Sequence, residues 1–72
     1  MVKFLVKFSG GEQDLEVALL SNGDVEFADR SRALRLAHTK LKQICSGVRY
    51  IVNEFACTGL NYDDGMTINR VN

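Results

Sequence analysis

The sequence has no proline and no tryptophan, only two cysteines, and a net charge of zero. With 46% apolar and 25% charged residues, this composition excludes a proline-rich linker and favours a folded domain over a disordered chain. Cys45 and Cys57 are too few for a disulfide framework, so we expect two reduced, buried thiols. No stretch has the length of a membrane span or the order of a signal peptide, which predicts a cytoplasmic protein without membrane contact.

The length of the chain sets a limit on its stability. Its 72 residues have room for a single domain, residues 1–72. A domain this short buries only a modest fraction of its surface, so a bound partner or a second copy would add useful stability. A homodimer is therefore one of the alternatives that the sequence leaves open.

The charges are distributed unevenly. Between Asp29 and Gln43 five basic residues accompany one acidic residue, whereas the rest of the chain has four basic and eight acidic residues. The sequence therefore predicts a basic helix on a more acidic body.

This basic segment has the periodicity of one amphipathic helix from Asp29 to Gly47. At about 100° per residue, one apolar stripe contains Leu34, Ala37, Leu41, Ile44 and Cys45. Asp29 can cap the first turn, and Gly47 can end the last turn in a left-handed conformation. The opposite side, which we expect to face solvent, contains Arg32, Leu36, Thr39 and Gln43.

Two strands are predicted before this helix, and a third is suggested. Residues Val2 to Phe8 alternate apolar and polar side chains, which predicts a strand with Lys3 and Lys7 facing water. Asp14 to Ser21 is a second strand with apolar side chains on both faces. Asn22-Gly23 is a strong hairpin signal, because both residues tolerate positive φ. It predicts a short third strand from 25 to 28, although this segment could also be a loop leading into the helix.

Two further strands are predicted after Gly47. The segment from Val48 to Cys57 is rich in β-branched and aromatic residues, which favours a central strand. Met66 to Val71 can return as an edge strand after a turn at residues 61–65. We therefore predict an α+β fold of the order ββ(β)αββ: an antiparallel sheet of four or five strands with one helix packed on one face. The other face of this sheet needs cover for Leu5, Leu20 or Ile51, from a partner or a second copy.

Candidate sites for chemistry are weak. His38, Cys45 and Cys57 could form a three-ligand zinc site or a nucleophilic pair, but the four closely paired ligands typical of zinc are missing. The acidic segment 61–65 lacks the alternating oxygen ligands and distal glutamate of a calcium loop, so a turn is favoured. Gly10-Gly11 precedes no helix and is not a phosphate loop. We predict no catalytic residue, no metal and no cofactor, and therefore no enzyme.

The order of the predicted elements offers one comparison. A strand pair, a capped helix containing Ala33-Leu34-Arg35-Leu36-Ala37, a glycine and a strand resembles several small phage-encoded proteins that disable host machinery, such as anti-CRISPR proteins and inhibitors of host RNA polymerase. The resemblance covers about residues 2–55 as an arrangement of elements. It implies a non-enzymatic inhibitor that covers a surface of its partner.

Our functional hypothesis follows from the basic helix. We predict that its exposed side, with a sheet edge, binds a protein or nucleoprotein partner through Arg32, Arg35, Leu36, Lys40 and Lys42. A leucine among cations can anchor a small interface, and arginine is enriched in such patches. The alternatives are a nucleic-acid-binding module using Arg30 to Lys42, and a merely solvated helix face. The neutral total charge and the spread of the cations speak against nucleic acid.

Overall fold

One antiparallel sheet and one main helix make up the fold. A computed structural model describes residues 1–54 and 58–72. Within them the strands are β1 (Val2–Lys7), β2 (Leu15–Leu19), β3 (Val25–Phe27), β4 (Gly59–Asn61) and β5 (Thr67–Arg70), and the helices are α1 (Arg30–Arg35) and α2 (His38–Glu54). The strand order across the sheet is β3-β2-β1-β5-β4. The predicted α+β class and the order ββ(β)αββ are confirmed.

The first two strands follow their sequence pattern. In β1, Phe4 and Val6 are buried while Lys3 and Lys7 are exposed. In β2, every second residue from Leu15 is buried. The two strands pair with Phe4 opposite Val17, so their apolar faces combine on one side of the sheet, which we call the inner face.

A hairpin is present at Asn22-Gly23, as predicted, but its loop has the three residues 21–23 instead of the two predicted. Gly23 has a φ of 90°, which a glycine adopts without the steric cost of a side chain. The turn is closed by the N–H of Gly23, which donates to the carbonyl of Leu20 at 3.0 Å, and by the N–H of Leu20, which donates to Asp24 at 2.9 Å. The third strand therefore exists, as β3.

The prediction of a single helix from 29 to 47 is wrong. Asp29 does cap α1, accepting from the N–H of Arg32 at 3.1 Å, but the chain leaves the helix at Leu36, where ψ is 148°. The break changes which apolar side chains are covered. Leu34, predicted to be buried, is 85% exposed, whereas Leu36, predicted to face solvent, is half-buried against the core.

The segment from Val48 to Glu54 is helical, so the predicted strand from 48 to 57 is wrong as far as the structure describes it. Residues 55–57 of that prediction lie outside the described residues. Ile44, Val48 and Ile51 lie one or two turns apart on α2 and are buried at 0%, 0% and 2% exposure. Their common face packs on the inner face of the sheet, which removes Ile51 from the residues that need outside cover.

Gly47 lies inside α2 and is buried, so its predicted role as a helix end is also wrong. A Cβ atom here would lie 2.6 Å from the hydroxyl oxygen of Tyr62 and 2.8 Å from Cδ1 of Ile68. The missing side chain therefore lets α2 approach the β4–β5 hairpin closely. The fourth strand of the sheet is therefore β4 of this hairpin, in place of the strand predicted from 48 to 57. β4 lies at the edge, and β5, predicted as the edge strand, lies between β1 and β4.

Candidate protein-binding surface

Two of the five predicted partner-binding residues bond to other segments of the domain. The guanidinium of Arg32 is half-buried, donates to the carbonyl of Asp14 at 2.9 Å, and lies 5.7 Å from the ring centroid of Phe8. This distance is within the range of a cation–π contact. The ammonium group of Lys40 donates to the carboxylate of Asp64 at 2.5 Å. Arg32 thus ties α1 to the β1–β2 connection, and Lys40 ties α2 to the β4–β5 turn.

The other three predicted residues, Arg35, Leu36 and Lys42, differ in their exposure to solvent. Leu36 contributes to the core rather than to the solvent-facing surface. Arg35 and Lys42 are exposed, one at the end of α1 and the other in the first part of α2. The five residues therefore differ in exposure: Arg35 and Lys42 are exposed, whereas the other three are half-buried.

The turn at residues 61–65 brings a phenol and a carboxylate together. The hydroxyl of Tyr62 donates to the carbonyl of Gln43 at 3.2 Å. Burial raises the pKa of Tyr62 above its ordinary value of 10.0, and the negative charge of Asp64 raises it further. The pKa of Asp64 itself is lowered, mainly by the hydrogen bond from Lys40. The predicted turn is therefore present, and its contacts with Gln43 and Lys40 hold it against α2, which was not predicted.

We expect Tyr62 to titrate above pH 10.0 in the folded protein. Ultraviolet absorbance of the phenolate measures this directly in a Tyr50→Phe background, where Tyr62 is the only tyrosine. Since the folded state holds this proton more tightly, stability should fall as the pH rises through and above 10.0. Asp64→Asn should move the midpoint down, and an unchanged midpoint would exclude the carboxylate as a cause.

Of the three candidate chemical groups, the structure describes His38 and Cys45. His38 is exposed at the start of α2, and Cys45 is a half-buried free thiol on the same helix. Cys57 lies outside the described residues, so its distance from Cys45 is not defined. Within residues 1–54 and 58–72, no cluster of three or more His, Cys, Asp or Glu side chains could hold a metal ion.

A groove lies between β3 and the two helices. Its volume is about 880 Å³. One wall is β3 and the other is formed by α1 and the first part of α2. Leu34 stands on the helical wall and is 85% exposed, the highest value among the exposed large apolar side chains of the described residues. The lining residues are Leu20, Asp24, Val25, Glu26, Phe27, Ala28, Arg30, Ala33, Leu34 and Leu41.

The backbone of β3 adds polar groups to this groove. On either side of β3, the N–H of Ala28 donates to the carbonyl of Glu16, and the carbonyl of Asp24 accepts from the N–H of Leu20. The even-numbered positions from 24 to 28 therefore direct their backbone groups towards β2. In an antiparallel ladder the intervening residues point their N–H and C=O groups the other way. Val25 and Phe27 therefore present these groups at the open edge, and no described residue pairs with them by a hydrogen bond.

The outer face of the sheet beside this edge is acidic. Glu26 lies opposite Ala18 of β2, and the neighbouring position of β2 on the same face is Glu16. Asp24 follows the same alternation at the start of β3. Within the described residues of β2 and β3, this face has acidic but no basic side chains. One cation on the same face, Lys3 of β1, lies opposite Ala18, two strands away from β3.

The sequence prediction missed Leu34 as a surface residue. Its spacing to Ala37 and Leu41 fits the apolar stripe of a continuous helix, and no proline or glycine marks the break after Arg35. The signal that could identify the groove is different: Asn22-Gly23 predicts a hairpin, and a short strand next to a turn is a common sheet edge.

No family model, curated protein or solved structure matches the chain. The resemblance to phage-encoded inhibitors therefore stays a hypothesis. Neither helix of the described residues is long and apolar enough to cross a membrane.

Proposed function

We propose that the chain is a non-enzymatic binding module that docks a protein partner on the edge of β3 and the adjoining groove. One observation carries the proposal: the almost fully exposed Leu34 stands beside a strand edge whose outward N–H and C=O groups have no partner among the described residues. Exposed apolar side chains and open edges favour association, and most proteins cover or shorten such edges.

The energetics support a modest but specific interface. Covering Leu34 contributes about 1.5–3 kcal/mol, as for other leucine side chains removed from water. Hydrogen bonds from the backbone of Val25 and Phe27 would fix the position of the partner along β3. The exposed Arg30 lines the groove and can act as part of the polar rim of the same interface.

Such a module would act by occlusion, because it needs only to cover a partner's surface to change what that surface can bind. A protein or a nucleoprotein can supply that surface. This keeps the inhibitor hypothesis from the sequence but moves its contact residues from the cationic side of the helices to the groove. Arg35 and Lys42, exposed on the helices, are a competing contact surface.

The nucleic-acid alternative has less support than the groove. Two of the five cations in the segment from Arg30 to Lys42, Arg32 and Lys40, already bond within the domain. The remaining exposed cations are Arg30, Arg35 and Lys42. Phosphate binding is strongest at low salt, so a mobility-shift titration there tests this alternative separately.

We expect Leu34→Asp to abolish capture of the physiological partner from a lysate of the native host. A charge placed in the groove would have to be buried on binding, at a cost of several kcal/mol. The measurement is quantitative affinity capture with the wild-type and variant chains, compared band by band. Because the side chain is 85% exposed, the fold should persist, which circular dichroism checks.

The matched control is Val71→Asp. Val71 is a second exposed apolar residue, 58% exposed, and it does not line the groove. It should leave capture unchanged. Loss of the partner on combined reversal of Arg35 and Lys42, with Leu34→Asp still binding, would transfer the contact surface to the cationic side of the helices and overturn the proposal.

A further inference from the structure

We infer that the ligand of this surface is an extended peptide segment that joins the sheet as a sixth strand, antiparallel to β3, with a basic residue between two apolar ones. The inference rests on the proposed docking surface and specifies what occupies it. Three features argue for it: the backbone of the edge, the apolar side of the groove, and the acidic side chains on the outer face.

The backbone requires an extended ligand. Val25 and Phe27 each offer an N–H and a C=O at the open edge, and residues two apart in a strand are about 7 Å apart. An extended segment matches this repeat, whereas a helix has already used its backbone groups internally. The neighbouring pair β2–β3 is antiparallel, so an antiparallel addition continues the same ladder.

The inner side of the groove requires apolar side chains at two alternate ligand positions. Residues opposite Val25 and Phe27 point their side chains to the same face as these two, towards Leu34 and Leu41. The ligand residue between them points to the outer face.

The outer face requires a basic residue at that middle position. Its neighbour across the edge is Glu26, and Asp24 and Glu16 lie nearby on the same face. Opposite charges facing each other across strands are favourable, and like charges are not. A lysine or arginine fits this position, and a glutamate does not.

The same charges argue against a second copy of the chain as the occupant. Two copies of β3 can pair through their open edges with Val25 opposite Phe27, which places Glu26 opposite Glu26. They can also pair with Val25 opposite Val25, which places Glu26 opposite Asp24. Both of these registers bring two acidic side chains together. A third register, with Phe27 opposite Phe27, places Glu26 opposite Ala28, but Phe27 is then the one residue of β3 whose edge N–H and C=O groups pair with β3 of the other copy. We therefore expect a monomer by light scattering.

The test uses a short, capped, fluorescein-labelled peptide with a valine-lysine-valine core, and a twin with glutamate in place of lysine. Fluorescence polarisation with the full chain measures both dissociation constants. We expect the lysine peptide to bind on the order of tenfold more tightly than its twin. Methylating the two valine amide nitrogens should weaken binding by more than about tenfold, since these amides face β3, whereas methylating the lysine amide should not.

Variants of the chain then locate the contact. Glu26→Lys should reverse the preference, so that the glutamate peptide binds more tightly. Its matched control is Glu12→Lys, an exposed acidic residue in the β1–β2 connection that changes the net charge equally and should leave the preference unchanged. Both substitutions are at exposed positions, so the peptide chemistry rather than protein stability is tested.

The outcomes separate this inference from the proposed function. Equal binding of both peptides that is lost on Leu34→Asp would overturn the basic-residue inference and leave the groove as the docking surface. Three results would overturn the inference itself. They are no saturable binding of either peptide at about 1 mM, an equal loss of affinity on methylating either set of amides, and a dimer that depends on β3. The partner-capture experiment with Leu34→Asp decides the proposed function independently.

Discussion

Ile44→Ala is expected to lower the free energy of unfolding by about 2–5 kcal/mol, because it removes buried methyl groups and leaves a cavity. Ile44 is 0% exposed and lies on the α2 face that packs on the sheet. Small domains are stable by only about 5–10 kcal/mol, so this loss is a large share of the total free energy of unfolding. Urea denaturation followed by circular dichroism measures the loss.

Leu34→Ala is the matched control for this experiment. Both residues belong to the apolar stripe predicted from the sequence, but the structure buries one and exposes the other. The Leu34 substitution should change the unfolding free energy by less than about 0.5 kcal/mol, as expected for an exposed side chain. Equal losses at the two positions would contradict the break between α1 and α2 and restore a single continuous helix.

Gly65→Ala is expected to lower the free energy of unfolding by about 2–5 kcal/mol, the second large effect. Gly65 has a φ of 90°, where a side chain adds steric strain of about 1–2 kcal/mol. A Cβ atom at this position would also overlap the side chain of Ser9, and such overpacking costs about 1–3 kcal/mol more. Chemical denaturation again gives the difference in free energy.

Gly23→Ala separates the two causes. Gly23 has the same φ of 90°, but a Cβ atom there would have no neighbour within 4 Å. Its cost should therefore be the backbone term alone, about 1–2 kcal/mol. The contact with Ser9 predicts that Gly65→Ala,Ser9→Gly recovers part of the loss. Equal costs at the two glycines would show that the chain at Ser9 yields to the added methyl group.

Local patterns were sufficient for the first part of the chain. The alternation around Phe4 and Val6 predicted β1 and its buried face, because a strand with one face in water needs that period. Asn22-Gly23 predicted the β2–β3 hairpin, since few other residues tolerate positive φ. Asp29 was predicted to cap the first turn of the helix, and it does so by accepting from the N–H of Arg32, a local bond between residues three apart.

The sequence also contained the pattern of α2, and it was misinterpreted. Leu41, Ile44, Val48 and Ile51 repeat at helical spacing across Gly47. The glycine and the β-branched residues after it favoured a helix end followed by a strand. Burial on the sheet outweighs those preferences, which amount to about 1 kcal/mol per residue.

The candidate surface depended more on tertiary structure than the fold did. The sequence by itself determined the hairpin that ends in β3, the acidic residues on that strand, and the basic composition of the helical segment, because these follow from residue type and spacing. Only the tertiary structure decided that helix α1 ends at Leu36 and that Leu34 remains exposed to solvent. It also decided that Arg32 and Lys40 bond within the domain. The physical reason is that each of these depends on which distant segment lies alongside: the carbonyl of Asp14, the carboxylate of Asp64, and the core that covers Leu36.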